Sequence, residues 1–187
     1  MRSVFIRLLQ MLQSAGVKTD LIISEWAKVT IQQETEFTVP EVEALASETH
    51  SNKNLAAAIS SGSVKTDGMI IAPCSMKTVA AIRGGLASDL LSRAADVILK
   101  ERRKLVLLPR ESPFNDIHLD NMLTLSRMGV VMVPPVPAFY NNPKSLDDVI
   151  DHIVVRTLDQ FGIDSPNASV WNGLVRKGSI SEPVLTR

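Results

Sequence analysis

The chain has one cysteine in 187 residues, Cys74, so no intramolecular disulfide can staple it. A lone thiol fits a reducing compartment, and a cytoplasmic protein is expected. Neither charge is in excess: 20 Lys+Arg balance 20 Asp+Glu, with a sequence pI near 6.8. That balance argues against a general nucleic-acid binder, whose phosphate contacts need a basic surface. No apolar run reaches the ~18 residues of a membrane span. His50, His118 and His152 stand far apart without metal-ligand spacing, so no metal site is expected. The chain has no G-x-G-x-x-G, no Walker sequence, no internal repeat and no low-complexity tract. Any phosphate must be held by other means.

What is there is an ordinary globular composition, 45% apolar and 21% charged. The chain is long enough to bury ~70% of its unfolded surface. The opening "MRSVFIRLLQMLQSAG" spaces Val4, Leu8, Leu12 and Ile6, Leu9 as on a helix. No small-residue cleavage site follows, so it reads as an amphipathic helix stopping at Gly16 and not as a targeting peptide. Strands are expected at "VKTDLIIS", "DGMIIA", "KLVLLP" and "VVMVP". Helices are expected at "SEWAKVTIQQET", "VPEVEALA" and "NLAAAI", from Ser75 onward, and at "ASDLLSRAADVILKERR", "NDIHLDNMLTLSRMG" and "SLDDVIDHIVVRTLDQFG". The last has Ser145 as N-cap, Asp148 at its third position and Gly162 as its stop. Residues 1–163 read as one domain and 164–187 as a polar tail anchored by Trp171. The alternation indicates an α/β fold, a doubly wound parallel sheet covered by helices.

In such a sheet ligands bind outside the carboxyl ends of the strands. Those ends read Ser24, then Cys74-Ser75-Met76-Lys77-Thr78, then Arg110-Glu111, then Phe139-Tyr140. Each apolar strand runs into groups suited to a phosphate or a heteroaromatic ring. Ser75 is placed to cap a helix, and a helix N-terminus also favours an anion, so the two readings are compatible. Cys74 has no histidine or second cysteine beside it and reads as a small buried filler, not a nucleophile. Arg93 and Lys100, seven apart, share one helix face. Arg93, amid "LLSRAADVIL", and Arg156, amid "IVVRTL", are cations in apolar stretches that need an anionic partner or a route to water. A phosphate clamp meets that demand, and so do buried ion pairs.

Four stretches, "GMIIAPCSMKTVAAI", "RAADVILKERRKLVLLPRE", "IHLDNMLTLSRMG" and "PAFYNNP", together resemble the UbiX/Pad family of flavin prenyltransferases, over nearly all of residues 6 to 163. The end "DQFGIDSPNASVWNGL" is similar to the branch whose genes accompany hydroxyarylic-acid decarboxylases. The resemblance implies a flavodoxin-like, three-layer α/β/α domain in a dodecamer, with active sites at trimer contacts. It implies metal-free transfer of a dimethylallyl group from dimethylallyl monophosphate to N5 and C6 of reduced FMN. The prenylated FMN would serve a UbiD-type decarboxylase. By motif match, Ser24, Ser75, Met76, Lys77, Thr78 and Arg110 would contact FMN. Arg93, Lys100, Tyr140 and Arg156 would hold the prenyl phosphate, and Trp171 would help line the prenyl site. Glu111 would protonate the leaving phosphate, Glu34 would be a second acid/base near the flavin, and Lys100 would count with them as catalytic.

The family pattern opens with an apolar strand and a Gly-Ala-Ser/Thr-Gly loop around the FMN phosphate, and this sequence contains neither. An upstream stretch of the natural product is therefore expected; without it the sheet should lack an interior strand and the flavin site should be weaker. Two other readings stay open. An FMN-dependent cysteine decarboxylase would carry Pro-Ala-Ser-Ala-Asn-Thr where this chain has "PCSMKT", and Pro-x-Met-Asn where it has "PAFYNN". The other is a non-catalytic flavin-binding subunit of an aromatic-acid decarboxylase.

Overall fold

The computed structural model describes residues 4–164, in which helices alternate with parallel strands. Helix α1 (Val4–Ser14) buries Ile6, Leu8, Leu9 and Leu12 and stops before Gly16, whose φ of +69° would strain any side chain. Strand β1 (Asp20–Ile23) leads through Ser24 into α2 (Glu25–Glu34), followed by the short α3 (Val39–Glu43). Strand β2 (Glu48–Ser51) is the polar run "ETHS", and no apolar alternation announces it.

The expected helix at "NLAAAI" does not form; a 3-10 turn covers only Ala58–Ser60. Asn54 Oδ1 accepts the Ala56 N–H at 3.1 Å, and Asn54 O accepts from Ala57, so local turns capture the donors a helix would use. Six residues also cannot offset the cost of helix nucleation.

The second half runs β3 (Gly68–Cys74), α4 (Met76–Arg83), α5 (Leu90–Lys100), β4 (Lys104–Pro109), α6 (Asp116–Arg127), β5 (Val131–Met132) and α7 (Leu146–Leu158). Helix α5 starts three residues later than "ASDLL" implies, because Asp89 and Ser92 cap it reciprocally. Ser145 and Asp148 cap α7 in the same way, and a final 3-10 turn closes at Gly162 in the left-handed conformation.

Every pairing is parallel: β1 with β2, β3 with β4, and β4 with β5. The sheet comes in two pieces, β1-β2 and β3-β4-β5, and no described strand joins β1 to β3. This break falls where an interior strand was expected. Helix α1 spans it: Ile6 and Leu9 pack with Ile23, Ile31 and Val42, while Leu8 and Leu12 pack with Ile150, Val154, Ile70 and Ala72.

Successive residues of the larger piece face opposite layers. Ile71, Leu105 and Leu107 meet the α4–α6 layer, whereas Ile70, Val106 and Leu108 meet side chains of α1 and α7. Strand β4 is therefore buried from Leu105 to Pro109, as an interior parallel strand must be. A bidentate pair, Arg7 to Asp151 at 2.6 and 2.8 Å, locks α1 to α7. This is the expected flavodoxin-like, three-layer α/β/α arrangement.

An apolar strand fused ahead of α1 through a glycine-rich turn is expected to pair in the break. Each backbone bond gained contributes about 0.5–1.5 kcal/mol net, so calorimetry should show Tm rising by at least about 5 °C. A folded fusion with unchanged Tm would show that the break accepts no strand.

Candidate functional site

Because every pairing within a piece is parallel, the carboxyl ends of its strands share one edge of that piece. Helix α1 packs on β1 with one side and on β3 with the other, so the first strand of each piece lies toward the break and the winding reverses there, the place where such folds bind ligands. On one side of it Ser24 caps α2, its Oγ accepting from Ala27 N–H at 3.2 Å. On the other, Ser75 caps α4, accepting from Thr78 N–H at 3.2 Å and lying 3.0 Å from Thr78 Oγ1. Met76 is buried and anchors that turn in the core, while Lys77 is exposed. The first N–H groups of α4 have no partner within the helix and favour an anion.

The β3–β4 register ends with Cys74 opposite Pro109, and Arg110 N–H donates to Cys74 O at 3.2 Å. Arg110 and Glu111 thus emerge beside Ser75. The Arg110 side chain makes no hydrogen bond or ion pair among the described residues, and Glu111 Oε1 accepts only the neighbouring Ser112 N–H at 3.1 Å. An uncommitted guanidinium beside a capped helix start suits a ligand that carries an anion and a ring, so the donor set fits FMN. Tyr140 is exposed in the loop after β5; its hydroxyl is 3.3 Å from His152 Nε2 and the two rings meet edge to face. Beside it a cavity of about 330 Å³ is lined by Asn141, Asn142, Pro143, Asp148, Asp151, His152 and Val155.

The clamp cations differ from expectation. Neither Arg93 nor Arg156 is embedded: their side chains are 39% and 58% exposed. Helix α5 buries Leu90, Ala94, Val97 and Ile98, which turns Arg93, Asp96 and Lys100 toward its flank, where long side chains reach water. Arg93 Nη1 pairs with Asp96 at 3.1 Å and Arg156 Nη1 with Asp159 at 2.7 Å. Lys100 pairs with Glu101, whose carboxyl that hydrogen bond holds below the usual range. Ion pairs, not a clamp, satisfy these cations within one chain.

Nor do the cations converge. Arg93 and Lys100 lie on α5 and Arg156 on α7, in layers on opposite faces of the sheet. Both helices run back toward the amino ends of the strands: Lys100 precedes Lys104, the first residue of β4, and Lys104 Nζ in turn bonds Gln160 O just past Arg156. Glu34 is also displaced; it is exposed at the far end of α2, about 15 Å of helix from Ser24. One chain therefore gathers Ser75, Met76, Lys77, Thr78, Arg110 and Glu111 at the carboxyl edge of the larger piece, with Ser24 at that of the smaller, but not Glu34, Lys100 or Arg156. Trp171 lies outside the described residues.

The structure also assembles a group that spacing gave no sign of. Asp20 and Glu48 are partners across β1 and β2, and His50 Nε2 lies 2.8 Å from Asp20 Oδ1, with Nδ1 3.8 Å from Glu48. The three donors lie within 4.8 Å of one another, and only the pairing of β1 with the unannounced β2 creates the cluster.

Known proteins bear on this arrangement. The family model described as Flavoprotein matches residues 3–158. A Bacillus subtilis (strain 168) protein named "Probable UbiX-like flavin prenyltransferase" is 62% identical over 172 residues, 92% of this chain and 84% of the relative. A crystal structure of a dodecameric FMN-dependent UbiX-like decarboxylase from Escherichia coli O157:H7 superposes with a TM-score of 0.89 at 57% identity, covering 91% of this chain and 92% of that one. AnUbiX (PadA1), solved with FMN and dimethylallyl pyrophosphate, gives 0.90 at 49% identity, covering 92% of each chain. A peptidyl-cysteine decarboxylase at 14% identity and a TM-score of 0.56 shares the fold alone.

Burial pushes the Cys74 thiol from an ordinary 9.0 up to about 12. Native protein at pH 8 should leave a thiol reagent unreacted and consume one equivalent only after unfolding. The unfolded thiol ionises near 9 while the folded one does not, so this group's contribution to stability is full below pH 9 and fades from there to about pH 12. Rapid labelling of folded protein would place Cys74 in the crevice.

Proposed function

Because this chain belongs to the flavoprotein family, among the UbiX-like flavin prenyltransferases, we propose that it joins a dimethylallyl group from dimethylallyl monophosphate to reduced FMN. The observation that carries this reading is the carboxyl edge, where the capped start of α4 and the uncommitted Arg110 flank the point of reversed winding. Bound reduced FMN supplies the nucleophilic N5 and C6. Ser24, Ser75, Lys77 and Thr78 orient it, Met76 fixes the turn that presents them, and Arg110 balances its charge.

Breaking a C–O bond to phosphate without a metal requires side-chain cations. Arg93, Lys100 and Arg156, with the Tyr140 hydroxyl, take that role, each charge-assisted bond contributing about 1.5–3 kcal/mol. Glu111 delivers a proton to the departing phosphate, and Glu34 and Trp171 complete the site. Since the cations lie on opposite faces of one chain, copies must combine to surround a single phosphate. The E. coli neighbour is described as dodecameric, and we place this site likewise at contacts between copies, as trimers within a dodecamer. A UbiD-type decarboxylase receives the prenylated FMN. The single buried thiol suits a reducing cytoplasm, and among the described residues no helix is long and apolar enough to cross a membrane.

The break in the sheet favours one second reading, a non-catalytic flavin-binding subunit of an aromatic-acid decarboxylase. Incubation with reduced FMN and dimethylallyl monophosphate, without metal, separates the two. Mass spectrometry should find the bound flavin heavier by one dimethylallyl group; FMN recovered unchanged supports the non-catalytic reading.

Arg93→Ala, Lys100→Ala and Arg156→Ala are each expected to impair transfer while leaving flavin absorbance largely intact. Normal turnover in all three would leave them as structural ion pairs. Glu111→Gln keeps shape but cannot donate the proton, so its single-turnover rate should fall about 10²–10⁴-fold. An unchanged rate removes Glu111 from the mechanism.

A further inference from the structure

Arg103 lies outside both the core and the site described above, yet both terminal nitrogens of its guanidinium are engaged. Nη1 donates to Val64 O at 2.6 Å and reaches Thr66 Oγ1 at 3.5 Å, and Nη2 donates to Gly62 O at 2.8 Å. All three acceptors are neutral and belong to one segment, Ser60 to Thr66, which has no helix or strand of its own beyond Ser60. Without such ties a Ser- and Gly-rich stretch would sample many conformations.

The same segment touches two other cations. Ser60 O accepts from Arg93 Nε at 3.2 Å. Gly62 lies against Lys100: a Cβ there would come 2.7 Å from Lys100 Nζ and would overlap the Glu101 carboxylate. Carbonyl oxygens orient Arg103 without cancelling its charge, whereas Arg93 is oriented by the Ser60 carbonyl and paired with Asp96.

We propose that Arg103 is a positioning residue: it pins the 60–66 segment, which in turn sets the placement of Arg93 and Lys100 for the prenyl phosphate. This rests on the assignment of those two cations above and deepens it. The segment is a template along one flank of α5. Its glycine leaves room for the Lys100 ammonium, and its Ser60 carbonyl fixes the Arg93 fork.

Steady-state kinetics with reduced FMN and dimethylallyl monophosphate, together with FMN titration and melting curves, test this in Arg103→Ala, Arg103→Lys and Gly62→Ala. Arg103→Ala and Gly62→Ala should raise KM for dimethylallyl monophosphate about tenfold, while the FMN dissociation constant stays within about twofold. Arg103→Lys keeps the charge but cannot fork over two carbonyls, so its KM should be intermediate. Gly62→Ala removes no Arg103 donor and displaces the Lys100–Glu101 pair instead, so it and Arg103→Lys decide the matter if Arg103→Ala does not fold. Parallel losses of FMN affinity, Tm and turnover would mean a merely structural role and overturn the proposal. Unchanged KM in these variants, with Arg93→Ala still impaired, would overturn it while leaving the phosphate assignment intact. Unimpaired Arg93→Ala and Lys100→Ala would instead sink that assignment.

Discussion

Strand direction is the constraint on which the rest of this structure depends. Once β3, β4 and β5 pair in parallel, each connection must carry the chain back across the sheet, and helices do so on both faces. Strand β4 then loses water on both sides and reads as an unbroken apolar run, while the polar residues that follow each strand collect at one edge. Ser75 and Arg110 are neighbours for this reason alone: the register that sets Cys74 opposite Pro109 also sets the next residues side by side.

The same directionality sends the returning helices, and the cations on them, away from that edge. Lys100 and Arg156 sit toward the amino ends of the strands, in layers separated by a sheet no side chain can cross. Each is held for now by a nearby carboxylate at a half-exposed position, where such pairs contribute little and exchange partners readily. A phosphate offers more charge and more acceptors than Glu101 or Asp159 alone. The separation that defeats a one-chain clamp is thus what makes a shared site sensible.

The break between β1 and β3 sits at the centre of this arrangement. Helix α1 covers it by packing Ile6 and Leu9 on one side and Leu8 and Leu12 on the other, and Arg7–Asp151 ties that cover to α7. A stripe of side chains can exclude water from the gap but cannot supply the backbone N–H groups that a loop at the carboxyl edge would offer to a phosphate. Fold integrity and flavin affinity are therefore separable here.

Much of this was legible in the chain. A short apolar run such as "KLVLLP", set between long helices, reads as an interior strand, and Ser75, Ser145 and Asp148 mark helix starts because short polar side chains satisfy N–H groups left without a partner in the first turn. Four long motifs carried the family, and with it the ligand. The polar strand β2 was not legible, since its stability comes from pairing with β1 and not from its own pattern. The aborted helix at "NLAAAI" was decided by Asn54 competing for its donors. Apolar neighbours in sequence made Arg93 and Arg156 look embedded, whereas helical rotation turned them to the flank. Sequence by itself determined the family, the helix caps and which polar residues follow each strand, because those are local properties of the chain. Tertiary structure alone decided which of them meet, because strand pairing and the two-sided sheet set distances that no spacing along the chain encodes.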